Sequence, residues 1–317
     1  ITLDVIAIGL QIEAQLVVGY DRVNDYPFFA IYIGVELPAG IPLGQTGLGL
    51  FGLAGLFALQ LEPNRRPDPN QPELPWYGIQ PGPSWYHAPP TVGVAELRKW
   101  GNREGSLALG AGVTIGTVAD NGYLFAGKFL LGIIFPGPIL FIEGRANILK
   151  ERASLRDEPL FRALVVLDAR AGTFLMGLDA RYAYDDSGAL IEIGGGAEAF
   201  FDFNDISAWH IYLGIDEPRE RRIRAWIFGR LFEANAYFML DARRLRTGAW
   251  IGYDAEWEFG PLEVVLQAWI EGRAELSFKP VYFTGSLWLH GKIEASVFGF
   301  GSGLGADARI SAEVFYP

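Results

Sequence analysis

Residues 262–278, LEVVLQAWIEGRAELSF, and 281–297, VYFTGSLWLHGKIEASV, decide the fold. In the first run Leu262, Val264, Leu266, Ala268, Ile270, Gly272, Ala274, Leu276 and Phe278 alternate with Glu263, Gln267, Trp269, Glu271, Arg273, Glu275 and Ser277, with Val265 the one misfit. In the second, Val281, Phe283, Gly285, Leu287, Leu289, Gly291, Ile293, Ala295 and Val297 alternate with Tyr282, Thr284, Ser286, Trp288, His290, Lys292, Glu294 and Ser296. Period 2 sustained over such a length means an extended strand with one apolar and one polar face. At roughly 3.4 Å per residue each run spans on the order of 58 Å, far beyond an ordinary strand.

The two runs are also copies of each other. Pro261, Trp269, Gly272 and Arg273 return as Pro280, Trp288, Gly291 and Lys292. A solenoid rung needs corners inside each run, and none is present. A meander needs turns only between runs, where Gly260-Pro261 and Lys279-Pro280 stand. Antiparallel pairing about the second turn sets Ile270 opposite Leu289, Gly272 opposite Leu287 and Trp269 opposite His290. Lys279-Pro280 is poor chemistry for a two-residue primed turn, so a longer loop is expected there.

Working outward, the pattern predicts an all-β protein of long antiparallel strands in a repetitive meander, the sheet extended, curved or sandwiched. Residues 1–37 read as two or three strands turning at 20–25. The apolar run Leu48–Phe57 carries apolar residues on both faces and predicts a fully buried or membrane-facing strand. Further strands are expected at 106–118, 122–134, 138–149, 160–170, 173–184, 189–203, 208–215, 222–241, 247–259 and 304–316, with Asp120-Asn121-Gly122 and Asp185-Asp186-Ser187-Gly188 as hairpin turns. The organisation expected is 1–61 as N-terminal strands, 62–104 as a Pro- and aromatic-rich insert, and 105–317 as the repetitive sheet. Nine of the 19 prolines fall in 62–90. Thr91–Trp100 is the one helix candidate. The insert reads as a stiff flap, or as a partner-recognition loop carrying Trp76, Tyr77, Trp85, Tyr86 and His87. With no initiator Met and an opening strand, the chain reads as a piece of a longer protein.

Composition narrows the function. There are no cysteines, which removes disulfides, thiolate metal sites and Cys nucleophiles. That absence fits an envelope, secreted or cytoplasmic setting, of which cell envelope or extracellular is preferred. A net charge of −11 argues against a nucleic-acid partner. Three histidines (His87, His210, His290) form no metal-ligand spacing, and no cofactor or metal is expected. The carboxylates sit at turns or alternate with Arg, which reads as a solvated, charge-paired face rather than a hydrolase pair. A non-enzymatic role, structural or lipid-binding, predicts that function tolerates Glu271→Gln and is sensitive to a charge at Ile270 or Leu289. Trp226, Trp257, Trp269 and Trp288 are placed on the polar face, where they stiffen the sheet or form a glycan platform. Motifs such as FIEGRA at 141–146 and WIEGRA at 269–274 recur, which suits an architectural unit more than a single active site.

The LPAGIPLG-TGLGLFGLAGLF block at 37–57, GAGVTIGT at 110–117 and Phe135-Pro136-Gly137-Pro138 resemble an uncharacterised family of very large, repetitive β-rich bacterial proteins. The long C-terminal strands over Pro280–Tyr316 are similar to that family as well. The resemblance implies no activity and no catalytic residues.

The remaining question is what covers the apolar face, marked by Leu266, Ile270, Leu287, Leu289 and Ile293. A second sheet makes the chain a non-enzymatic structural and assembly module of a large bacterial protein, its partners being other segments of the parent protein or further copies of itself. Lipid makes it a groove or conduit for acyl chains. An outer-membrane barrel is disfavoured by the Gly and Ala on the apolar face, which suit close sheet-to-sheet packing. The first is the reading adopted here, with lipid second and a glycan-binding surface third.

Overall fold

The computed structural model describes residues 2–7, 10–63, 97, 100–155, 159–184, 190–217, 219–229, 231–298 and 300–315. The recognition-loop residues Trp76, Tyr77, Trp85, Tyr86 and His87 lie outside them. So do the turn at 185–188 and all of the helix candidate except Leu97 and Trp100. The chain is all-β, with seventeen strands among the described residues: β1 Thr2–Ala7, β2 Leu10–Asp21, β3 Tyr26–Pro42, β4 Leu48–Pro63, β5 Trp100–Thr117, β6 Phe125–Phe135, β7 Ile139–Ile148, β8 Phe161–Asp168, β9 Thr173–Tyr184, β10 Ile191–Asp202, β11 Trp209–Leu213, β12 Ile223–Ile227, β13 Phe232–Asp241, β14 Arg244–Phe259, β15 Leu262–Phe278, β16 Val281–Val297 and β17 Phe300–Phe315. Short 3-10 turns occur at Arg152–Leu155 and Arg219–Arg221.

The strands belong to two compact units, Ile1–Leu178 with Phe200–Asn204, and Asp179–Ala199 with Asp205–Pro317. In the first unit β1 to β8 form an antiparallel meander, each strand paired with the next. Bulges interrupt the ladder between Leu50 and Gly52 and between Leu59 and Leu61. At the second, Gln60 takes a left-handed φ of 59°, the local kink that one extra residue requires. Asn121 and Gly122 supply the two positive φ angles of the turn between β5 and β6. The Asp120 carboxylate accepts the Thr117 hydroxyl and the amides of Leu124, Gly122 and Tyr123, which together hold its pKa below the usual range.

Two neighbouring rows show how this unit is sided. Tyr32, Leu56, Gly110, Gly132, Phe141 and Val166 stand side by side across six strands, and all but the half-buried Gly110 are buried. Phe141 folds over Gly132, where an added Cβ would lie 2.1 Å from the ring. One residue along each strand, Ile31, Phe57, Leu109, Ile133, Leu140 and Leu167 form the opposite row, and Phe57, Leu109, Leu140 and Leu167 are exposed. Of the two expectations for 48–57, fully buried or membrane-facing, full burial is overturned: Phe51, Leu56 and Ala58 are covered, whereas Leu53 and Phe57 face outward. It also moves many of the small residues. Ala30, Ala58, Ala108, Gly110 and Gly132 share the covered side, where they let neighbouring side chains lie close to the backbone.

In the second unit β12 to β17 run as a meander, with β10 on β12 and β11 on the far half of β13. The central pair, β15 and β16, has the expected register: Ile270 opposite Leu289, Gly272 opposite Leu287, Trp269 opposite His290. Its connection is shorter than expected, since only Lys279 and Pro280 separate the strands, joined by a cis peptide bond. The single strand expected over 222–241 is two strands, broken at Phe228-Gly229, where both residues have positive φ. Trp257 is a further correction: it pairs with Val264 on the apolar face, and Trp250, opposite Glu271, takes its place on the polar one.

Candidate functional site

The second unit carries a candidate surface on its apolar face. Ile193, Ala225, Ala234, Ile251, Ile270 and Leu289 form one continuous apolar row across β10 and β12 to β16. Small side chains in the middle of the sheet leave a depression of about 480 Å³, floored by Ala234, Ala236, Ala249 and Gly272 and rimmed by Ile193, Ile223, Ile251, Ile270 and Leu287. That volume lies within the range of small-molecule sites, but its lining is almost wholly apolar, without the convergent polar groups that orient a substrate. Of the five residues singled out in the sequence, Ile270 and Leu287 line the depression. Leu289 and Ile293 are exposed on the same face, and Leu266 is half-buried.

The opposite face is built differently. The row Arg224, Asn235, Trp250, Glu271 and Trp288 lies one residue along from the apolar one. The segment after β11 brings Asp216, Arg219 and Arg222 onto it. Arg222, 1% exposed, donates to Asn235 Oδ1 at 2.9 Å, Glu271 Oε1 at 3.2 Å and Asp216 Oδ1 at 3.0 Å, and its Nε donates to the Asp216 carbonyl at 3.0 Å. Glu271, 2% exposed, also receives Arg273 at 2.9 Å and Arg219 at 3.3 Å. The guanidinium of Arg222 stands 5.0 Å from the Tyr237 ring centroid. Burial, with Asp216 adding its charge and Arg273 and Arg222 opposing, pushes the Tyr237 phenol up to about 12. Glu271 is therefore not on the solvated, charge-paired face expected of carboxylates that alternate with Arg, but buried among three arginines.

The first unit has two smaller networks of the same type. Glu36 receives Lys128 at 3.0 Å and Arg152 at 3.1 Å. Glu62 receives Arg103 at 3.0 Å and Arg170 at 2.7 Å. The sequence signals for these clusters are weak because the partners are far apart in the chain. The run 216–222, dense in both signs of charge between two short strands, is the one local hint.

Both described histidines meet a carboxylate: His210 with Glu198 at 2.6 Å, buried, and His290 with Asp307 at 2.6 Å. Among the described residues no group of three or more His, Asp or Glu is placed to hold a metal ion. Trp226, Trp269 and Trp288 each have a ring face engaged within the chain. Trp269 stacks on His290 with centroids 5.3 Å apart. Arg309 lies 4.5 Å from the Trp288 ring centroid and Arg224 lies 4.8 Å from that of Trp226. Neither a protein-family model nor a curated protein sequence matches the chain.

Proposed function

We propose that this chain is a non-enzymatic β-sheet module whose open apolar face docks against protein, either other segments of its parent protein or further copies of itself. The observation that carries the reading is the sidedness of the second unit. Its buried carboxylate Glu271 is held by three arginines on one face, while the other face presents an unbroken apolar row to solvent. A face of this kind is stable only when something dry covers it. The Ala- and Gly-rich floor favours a second sheet, because small side chains permit close approach of another backbone.

Lipid is the second reading, favoured by the depression itself, which accepts an apolar chain as readily as an apolar side chain. A glycan surface has less support, since Trp226, Trp269 and Trp288 already stack on neighbours.

Sedimentation velocity over a range of concentration tests the proposal. The wild-type chain self-associates, and Leu289→Asp weakens the association at least tenfold, about 1.4 kcal/mol. Leu289 is already 43% exposed, so the variant keeps its fold. An association indifferent to Leu289→Asp contradicts docking through this face, and a wild type that stays monomeric throughout contradicts further copies of the chain as the partner.

A further inference from the structure

The apolar face of the second unit is uneven in an ordered way. Along one ladder row from β13 to β16 the residues run Ala236, Ala249, Gly272 and then Leu287. The first three floor the depression, and Leu287 stands at its rim. A Cβ added at Gly272 would meet nothing nearer than Leu287 Cδ1 at 3.8 Å, so the hollow is open above the backbone. In the next row Ile251, Ile270 and Leu289 are all bulky and all exposed.

Building on the docking reading, we infer that the occupant is the same face of a second copy, related by a twofold axis that runs along β15. An axis in that place lays β16 of each copy over β14 of the other and keeps every row at its own level. Leu287 of each copy then enters the depression of the other above Ala249. The contact is made twice, as a twofold interface requires. Ile251 and Leu289 meet across the neighbouring row, where sheets stacked about 10 Å apart bring long side chains into contact.

Area and charge both admit this partner. The apolar side of β14, β15 and β16 measures about 14 Å by 58 Å, or roughly 800 Å², which is what each partner contributes to a stable interface of standard size. None of the residues on that side of the three strands is charged, so the face meets its own copy without opposing like charges. A twofold axis across the strands at this row fits less well. It sets Leu287 against Leu287 and leaves the two hollows facing each other over a void. A lipid would fill the hollow without making use of the ridge beside it.

Exchanging the sizes tests the pairing. Ala249 and Leu287 are both exposed, so changing either leaves the fold intact. In sedimentation velocity of the whole chain, Ala249→Leu fills the hollow and weakens self-association at least about tenfold. Leu287→Ala removes the knob and weakens it several-fold. The double variant, which swaps hollow and knob, restores most of the lost association, because the two sites are coupled. Association that is lost in Leu289→Asp but unmoved by either size change, or not rescued by the double variant, overturns this pairing and leaves docking through the face standing. A wild type that stays monomeric overturns the pairing together with copies of the chain as the partner, and leaves another segment of the parent protein, or lipid, as the cover.

Discussion

Glu271→Gln lowers the unfolding free energy of the second unit by roughly 3 kcal/mol, the lower end of what losing one partner of a buried ion pair costs. The substitution is nearly isosteric, so the loss is electrostatic. Arg222 has a fully buried side chain and then shares Asp216 with Arg273 as the remaining counter-charge, while Arg219 loses its contact with Glu271. Glu256→Gln, exposed on the adjacent strand, shifts stability by no more than about 0.5 kcal/mol. Denaturant titration followed by tryptophan fluorescence separates the two. Six tryptophans (Trp209, Trp226, Trp250, Trp257, Trp269 and Trp288) belong to the second unit, against Trp76, Trp85 and Trp100 in the sequence of the first, and supply most of the signal. Equal small effects from both variants would mean that Glu271 is solvated after all.

The second large effect lies in the first unit and contrasts two consecutive residues. Phe141→Ala costs about 3–5 kcal/mol, because the ring is fully buried over Gly132 and its removal leaves a cavity that the strand ladder cannot close. Leu140→Ala, one position earlier and on the open face, costs about 1 kcal/mol or less, since the side chain is 38% exposed before it is cut back. Calorimetry on both variants reads the difference directly. Comparable losses would place Leu140 and Phe141 in similarly covered surroundings and remove the sidedness of the sheet.

The central register was legible because two constraints agree. Strict alternation fixes the faces, and a connection near Lys279-Pro280 fixes which residues meet. Trp257 was misplaced on the polar face although its neighbours mark it: it alternates with Glu256 and Glu258, which places it with Ala255 and Phe259. What covers each face was not legible at 48–57, where both sides are apolar and only tertiary structure decides that Leu56 is dry and Phe57 is not. The Glu271 network was hidden for a different reason. Glu271 sits beside Arg273 in an alternating strand, the ordinary pattern of a solvated face, and its burial depends on Arg222, 49 residues away. The break at Phe228-Gly229 was masked by apolar residues on both sides, although Gly229 supplies one of the two positive φ angles there.

The account rests on the open apolar face being a surface for protein. Mass spectrometry of an organic extract of the purified chain, quantified per polypeptide, tests this most directly. Docking against protein predicts a folded chain that yields no stoichiometric lipid, with Leu289→Asp giving the same clean extract. Phospholipid or fatty acid at one or more molecules per chain, lost on Leu289→Asp, would contradict it and make the face a lipid groove.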